Sequence, residues 1–530
     1  MVARVQGLDN VARMRRRRYS ILLVSLLVAT CAGGGAPTPA APPLAQLVVR
    51  GTVVTMDDAF RVLRGGAVVV ERGRIAAVLR PGEPLPPRAE GFPVVRVDGF
   101  VYPGLVNAHN HLAYNTLPPW PVPLVGGRPL AGVDGWTQGP LREEYLERLT
   151  KPKRRLLELG LAAEMGKWAE LKELAGGTTT TQGSFGFRLG EEDEDTRGFA
   201  AILARNVDLE QPLLRQSSTG IYVREARRVD VARLADVLAD VRDRGVFLVH
   251  LSEGRTRAYA AELYDLNNVG QAAGGRCGPL LRRTTVIHGT PYGPSEFRLL
   301  ADCRASLVAA PLSNLLYYGT VPDLAAAAAA GVNVALSTDW SAVGSRTLLE
   351  ELKVADTLGR RVFSGPLSAR TLVEMVTRNP ARALGWSQEV GRIERGLRGD
   401  LLVLRSDEAD PYRALVESTE RDVALAVVGG DPVWGDVDVL RRLKPGDHEV
   451  VDSGCGFSKA VDATTAAAPK GEQTVAELRS TLARALGREP SPLFTCADRD
   501  HLDALARSPA LAYSFPQLAG LPALLAAAYR

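Results

Sequence analysis

From residue 46 the chain opens with short apolar runs separated by turn residues. Leu47-Val-Val-Arg-Gly-Thr-Val-Val54, Ala67-Val-Val-Val70 and Arg74-Ile-Ala-Ala-Val78 are rich in β-branched residues, the pattern of short strands in a small sheet. A matching set recurs far downstream in Gly391-Arg-Ile-Glu-Arg-Gly396, Asp400-Leu-Leu-Val-Leu404 and Val423-Ala-Leu-Ala-Val-Val-Gly-Gly430. Between the two sets, strand-like runs alternate with helical spacing, which predicts a parallel α/β core. Strands are expected near residues 100–107, 177–182, 220–223, 246–250, 284–288, 306–310 and 333–338, with a weakly marked one near Val207. Helices are expected over 153–174, 230–244, 324–330 and 371–384, and beyond about Asp452 over 475–486.

Several strand-like runs end on a side chain that can bind a metal. Leu105-Val-Asn-Ala-His-Asn-His111 delivers His109 and His111, and residues i and i+2 of an extended segment point the same way, so both rings can face one ion. Val246-Phe-Leu-Val-His250 and Thr284-Thr-Val-Ile-His288 end on histidine, and Val332-Asn-Val-Ala-Leu-Ser-Thr-Asp339 ends on aspartate. Of the six histidines, all four between 109 and 339 occupy such ends. Each alone is more often a buried, hydrogen-bonded histidine; the set together points to a metal centre.

The series Pro103-Gly104-Leu105, His109-x-His111, His250-x-x-Glu253, His288-Gly289 and Thr338-Asp339 resembles the amidohydrolase superfamily of metal-dependent hydrolases, in its imidazolonepropionase-like and cytosine-deaminase-like branch, from about Leu47 to Leu404. The resemblance implies a (β/α)8 TIM-like barrel, with a composite β-sandwich made by the N- and C-flanking segments and a C-terminal helical extension. The corresponding boundaries are 1–31 for an export signal with a lipobox, 32–45 for a linker, 46–99 and 389–451 for the sandwich, 100–388 for the barrel, and 452–530 for the extension. His109, His111, His250 and Asp339 would hold one divalent metal, zinc or iron, because three imidazoles and a carboxylate suit either. Glu253, three residues beyond a ligand, would shuttle a proton, with a loop salt bridge to Arg255 or Arg257 as its alternative. His288 would polarise the substrate or complete the metal shell, and Asp339 would also orient the attacking water. No lysine lies between Lys172 and Lys353, so the carboxylated lysine that bridges two ions in binuclear members has no counterpart, although a glutamate such as Glu225 could substitute for it.

Pro311-Leu-Ser-Asn314 resembles a motif of the same branch, in which Asn314 either contacts substrate or caps a turn. The Pro- and Gly-rich segment 117–139, with Trp120 and Trp136, is expected to overhang the barrel mouth, and Trp120 is a candidate substrate contact. The expected activity on a small-molecule substrate is hydrolysis of a non-peptide C–N bond, opening a cyclic amide or deaminating a ring amidine. Two alternatives stand beside it: a prolidase-like peptidase, and a non-catalytic surface binding protein on the same fold.

Composition changes this picture at one end. The formal charge of +4 is concentrated in residues 1–30, which carry six arginines and one aspartate; the remainder is near neutral, and nothing suggests nucleic-acid binding. Arg15 to Arg18, the apolar run Ile21 to Ala29 and Val28-Ala-Thr-Cys31 have the anatomy of an export signal and resemble a bacterial lipobox. Cys31 would then be lipidated, tethering the protein at a bacterial cell-envelope membrane; ordinary cleavage nearby would leave it periplasmic. Of the other four cysteines, Cys455 is expected to pair with Cys496, because both lie in the tail. His448, His501 and the acidic loop Glu191-Glu-Asp-Glu-Asp195 are expected at the surface.

Overall fold

The computed structural model describes residues 46–183, 203–208, 223–227, 238, 241, 245–446, 448–463, 473–511 and 513–529. Residues 44–530 form one compact unit. Cys31 with its signal and linker, the acidic loop 191–195, the side chain of Glu225 and most of the helix expected over 230–244 lie outside the described residues.

The flanking segments meet in one mixed sheet. β1 (Gln46–Val54), β2 (Val62–Glu71), β3 (Arg74–Leu79) and β4 (Val94–Pro103) come from the N-terminal side. The barrel strands that follow are β5 (Leu105–Asn107), β6 (Thr178–Thr181), β7 (Arg205–Asn206), β8 (Val223–Arg227), β9 (Val246–Leu251), β10 (Thr284–His288), β11 (Ser306–Ala309) and β12 (Asn333–Leu336). The C-terminal side adds β13 (Leu401–Arg405), β14 (Val423–Val428), β15 (Asp431–Asp436), β16 (Glu449–Asp452) and β17 (Ser458–Val461).

In the flanking sheet the order is β16-β17-β15-β14-β13-β4-β1-β2-β3. β4 joins the two ends of the chain, pairing in parallel with β1 and antiparallel with β13. Two hydrogen-bonded sheets were expected here, and one continuous nine-stranded sheet is found. The reason is that β4 runs on to Pro103 and offers both its edges. Ile75 on β3 and Leu425 on β14, remote in strand order, share one apolar cluster with Val49, Val68, Val101 and Leu401, so the sheet curls about that core. The clasp of N- and C-terminal flanks is therefore present, by a different hydrogen-bonding route.

The core is TIM-barrel-like. β5-β6-β7 and β8-β9-β10-β11-β12 are parallel groups in which chain order is spatial order. Asn107 joins the ends of the series: its Nδ2 donates to Thr338 Oγ1 at 2.7 Å and its Oδ1 accepts from the Thr338 amide at 3.2 Å. The strand expected over 100–107 is divided at Gly104 between flanking sheet and barrel. A Cβ on Gly104 would lie 2.0 Å from Thr179 Oγ1, so only glycine lets the chain step between the sheets so close to β6.

Helices depart from the pattern in two places. The one expected over 153–174 is broken into Lys151–Glu158 and Ala162–Ala175 around Gly160, which has φ +74°. The one over 371–384 is divided into Ala369–Glu374 and Arg378–Ala383.

The tail does more than add helices. β17 completes the flanking sheet, and the helix Val475–Leu486 begins at a capping box between Thr474 and Glu477. Leu505, Leu518, Leu521 and Leu525 pack against Leu312, Leu315 and Leu358 of the barrel layer. Cys455–Cys496 is formed as expected, and Cys277–Cys303 is the second disulfide. His501 corrects its surface assignment: it is 2% exposed, and its Nε2 meets Glu350 Oε1 at 2.7 Å. His448 is half-buried, its Nδ1 against the Lys444 carbonyl.

Candidate metal centre

β5 ends two residues before His109, and the backbone then runs beside residue 339: the His111 amide donates to the Asp339 carbonyl at 2.6 Å and the Asp339 amide to the His109 carbonyl at 3.2 Å. That ladder brings the first and last barrel strands' side chains together. His109 Nε2 lies 3.2 Å from His111 Nε2 and 3.1 Å from His250 Nε2. Asp339 Oδ1 is 3.4 Å from both His109 Nε2 and His111 Nε2. Donors about 2.0–2.1 Å from one tetrahedral centre are separated from each other by about 3.3 Å, so this spacing fits a single ion of zinc size. The three imidazoles form a triad able to hold a metal.

The tautomer of His109 is set from behind. Gln182 Nε2 donates to Asp208 Oδ2 at 2.8 Å, which turns Gln182 Oε1 toward His109 Nδ1 at 3.2 Å. Nδ1 therefore carries the proton and Nε2 presents its lone pair to the centre. Gln182→Leu removes that acceptor, and the expected result is about 10- to 100-fold weaker metal affinity, read by competition with a chromogenic chelator. Unchanged affinity would show that Gln182 does not orient the ring.

Asp339 has φ +59° and His288 φ +75°, left-handed conformations that are costly outside glycine and cluster at working sites. Burial pushes the Asp339 carboxyl up, but the neighbouring imidazoles of His109 and His288 and the Ser313 hydroxyl donating at 2.6 Å hold it below its ordinary value. It is therefore an anion facing three imidazoles.

His288 stands apart from the triad. Its Nδ1 meets Asn314 Oδ1 at 3.0 Å and its Nε2 lies 3.9 Å from Glu253 Oε1. Asn314 sits inside the helix Pro311–Tyr318, whose N-cap is Ala310, so it does not cap a turn; its amide oxygen orients His288 instead. Glu253 is not in a salt bridge to Arg255 or Arg257. Tyr318 donates to Glu253 Oε1 at 2.7 Å, Trp136 Nε1 donates to the Tyr318 oxygen at 3.1 Å, and Arg257 is paired with Glu296.

The loop over 117–139 forms a wall of this site. The Val133 amide donates to the Glu253 carbonyl and the Leu130 amide to the Tyr317 carbonyl, both at 3.0 Å. Trp136 stacks on Tyr317 with centroids 5.5 Å apart, and Trp340 lies 5.6 Å from the His111 ring. Trp120 packs edge-on against Tyr317 with centroids 5.9 Å apart; it is 2% exposed, and its indole N–H donates to Glu144 Oε1 at 3.0 Å.

Glu173 escaped the reading of the sequence. It is buried beneath the His-x-His segment and accepts from Asn107 and Asn110, two residues before and one after His109. Burial pushes its carboxyl up to about 7 against those hydrogen bonds. The asparagines of Asn107-Ala-His-Asn110 were the signal available for it.

Fold and centre together define a metal-dependent hydrolase built on a TIM-barrel-like core. In sequence and in fold the chain is similar to the amidohydrolase superfamily, and it is a hydrolase acting on carbon–nitrogen bonds other than peptide bonds. Residues 221–433 match the model of the amidohydrolase family. The 5-methylthioadenosine/S-adenosylhomocysteine deaminase of Haloarcula marismortui is 28% identical over 376 residues, covering 63% of this chain and 79% of that protein. The enzyme of the same name from Caldicellulosiruptor saccharolyticus is 23% identical over 431 residues, 74% of this chain and 94% of that protein. Among solved structures, an adenosine deaminase from Xanthomonas campestris with bound zinc superposes with a TM-score of 0.55 at 23% identity, covering 74% of this chain and 93% of that one. Guanine deaminase from Bradyrhizobium japonicum gives 0.53 at 19% identity, over 73% and 99%.

Proposed function

We propose that this chain is a mononuclear zinc-dependent deaminase of small aminoheterocycles, converting a ring amidine and water to a ring carbonyl and ammonia. The observation that carries the reading is the convergence of the His109, His111 and His250 Nε2 atoms with the Asp339 carboxylate, beside a separate Glu253–His288 pair. The names of the relatives favour deamination over opening of a cyclic amide, and zinc over iron.

His109, His111, His250 and Asp339 would hold the ion, which supplies the Lewis acidity that makes water nucleophilic near neutral pH. Glu253 takes a proton from the attacking water at its carboxylate and returns it to the departing nitrogen, with Tyr318 fixing the rotamer. His288 has Nδ1 served by Asn314, so its protonated form can donate from Nε2 to the substrate as charge develops there. The absence of any lysine between 172 and 353 favours one ion over two.

Purified protein is expected to carry one equivalent of zinc and to release ammonia from members of a panel of aminopurines, aminopyrimidines and aminotriazines, with activity lost to a chelator and restored by zinc. Turnover of Xaa-Pro dipeptides instead would establish the peptidase alternative, and the lack of stoichiometric metal would establish a decayed binding protein. We also propose export and attachment through Cys31, supported by the N-terminal pattern and by two disulfides, which suit an oxidising compartment. Membrane fractionation of a Cys31→Ser variant tests this: retention of the variant on the membrane would refute attachment.

A further inference from the structure

Three polar groups beside the centre are buried without a hydrogen-bond partner among the described residues: the Tyr317 hydroxyl, Trp340 Nε1 and Asn314 Nδ2. Their side chains belong to residues that are 2%, 2% and 0% exposed. Leaving such a group unpaired costs about 1–3 kcal/mol, so three around one centre require an explanation. All three can donate. Two of them, the indole N–H and the amide NH2, can only donate.

Their placement is not scattered. Trp340 follows Asp339 directly, and its ring lies 5.6 Å from that of His111 and 6.2 Å from Tyr317, nearly parallel to the latter at 23°. Burial, with the charge of Asp339 next, raises the Tyr317 phenol well above its ordinary value, so its hydroxyl keeps its proton and is a donor. Asn314 reaches the same space through His288. Trp136, Tyr317 and Trp340 pack on one another as an aromatic layer beside His111, so an occupant of the centre would meet carboxylates on one side and this layer, with its unpaired donors, on another.

We infer that Tyr317 and Trp340 are specificity-determining residues: they donate hydrogen bonds to ring acceptors of a planar heterocycle whose amino group faces Glu253 and Asp339. This rests on the deaminase reading. A substrate of the same shape that lacks the acceptor leaves the donors unpaired again, which is the strongest form of discrimination a binding site has. Asn314 Nδ2 serves a third acceptor, or a water held beside His288.

The test uses zinc-loaded Glu253→Gln protein, so that binding is read without turnover, and calorimetry with adenine and its 1-deaza, 3-deaza and 7-deaza analogues, each of which loses one ring acceptor. Tyr317→Phe and Trp340→Phe, each added to that background, are expected to weaken adenine binding about tenfold with zinc content and circular dichroism unchanged. For each variant, one deaza analogue should bind the unaltered background about tenfold more weakly than adenine and lose nothing further on substitution. Equal effects of a variant on adenine and all three analogues would overturn the inference, as would stoichiometric zinc with no binding of any of the four. Failure to hold zinc would instead overturn the deaminase reading itself, so the two outcomes are distinct.

Discussion

Glu253→Gln is expected to keep one equivalent of zinc and to lose turnover about a thousandfold, within the range found when a positioned acid–base group is removed. The substitution is close to isosteric, and the amide oxygen can still accept from the Tyr318 hydroxyl that now lies 2.7 Å from Glu253 Oε1. The Trp136–Tyr318 link behind it can persist as well. What disappears is the ability to take up a proton and give it back. Because His109, His111, His250 and Asp339 are untouched, metal content separates a lost shuttle from a disrupted site. The discriminating measurement pairs zinc analysis with ammonia release from whichever panel compound the parent deaminates. Unimpaired turnover with full zinc would remove Glu253 from the mechanism. Loss of zinc along with activity would make it structural.

The ends of the barrel strands were legible because metal chemistry leaves a local mark. His109-x-His111, His250, His288 and Asp339 each close an apolar run, and in the structure they stand where those runs end. Strands such as Thr284–His288 have the bounds that their apolar pattern indicates. What escaped depends on contacts between remote segments. Nothing near Asn314 indicates that its amide reaches the ring of a histidine twenty-six residues earlier, since that pairing exists only once β10 and β11 are adjacent. The sandwich expectation failed for a similar reason: whether β4 ends one sheet or joins two depends on which edges its neighbours leave open.

The charged helix Ala162–Ala175 is the clearest case. Lys167, Glu170, Lys172 and Glu173 would ordinarily face water, yet all are buried: the C-terminal tail accepts from Lys167 and Lys172, Glu170 accepts from the Leu203 and Ala204 amides, and Glu173 lies beneath the His-x-His segment. A tail reading as an add-on concealed this. Lys172 Nζ donates to the Asn115 carbonyl at 3.1 Å and to Ser491 Oγ at 2.9 Å, and Asn115 in turn donates to Asn110 Oδ1 at 3.0 Å, between the two metal-facing histidines. The tail is thus wired to the back of the site.

Removal of Arg346 or Asp498 alone is expected to destabilise the protein by about 3–5 kcal/mol, the cost of leaving one member of a buried ion pair without the other. Arg346 Nε meets Asp498 Oδ2 at 2.7 Å with both side chains at most 2% exposed. The outer guanidinium nitrogens have no other partner among the described residues. Asp498 also accepts from Ser491 Oγ at 3.1 Å and from the His501 amide at 3.1 Å, so it holds the tail's helix Arg499–Arg507 to the barrel. Burial pushes its carboxyl up, but Arg346, His501 and Lys172 together hold it down at about 2. A carboxyl depressed in the folded state stabilises above its unfolded value near 4, and that contribution is lost as pH falls from about 4 toward 2. Asp498→Asn should therefore flatten the acid limb of the stability profile while lowering stability at pH 7. The double variant Arg346→Met with Asp498→Leu should recover most of the loss, because an apolar pair of similar volume leaves no uncompensated charge. Urea titrations of the four proteins at pH 7 and pH 3 separate the possibilities. Equal losses in the single and double variants would mean that packing alone, and not the ion pair, joins the tail to the catalytic barrel.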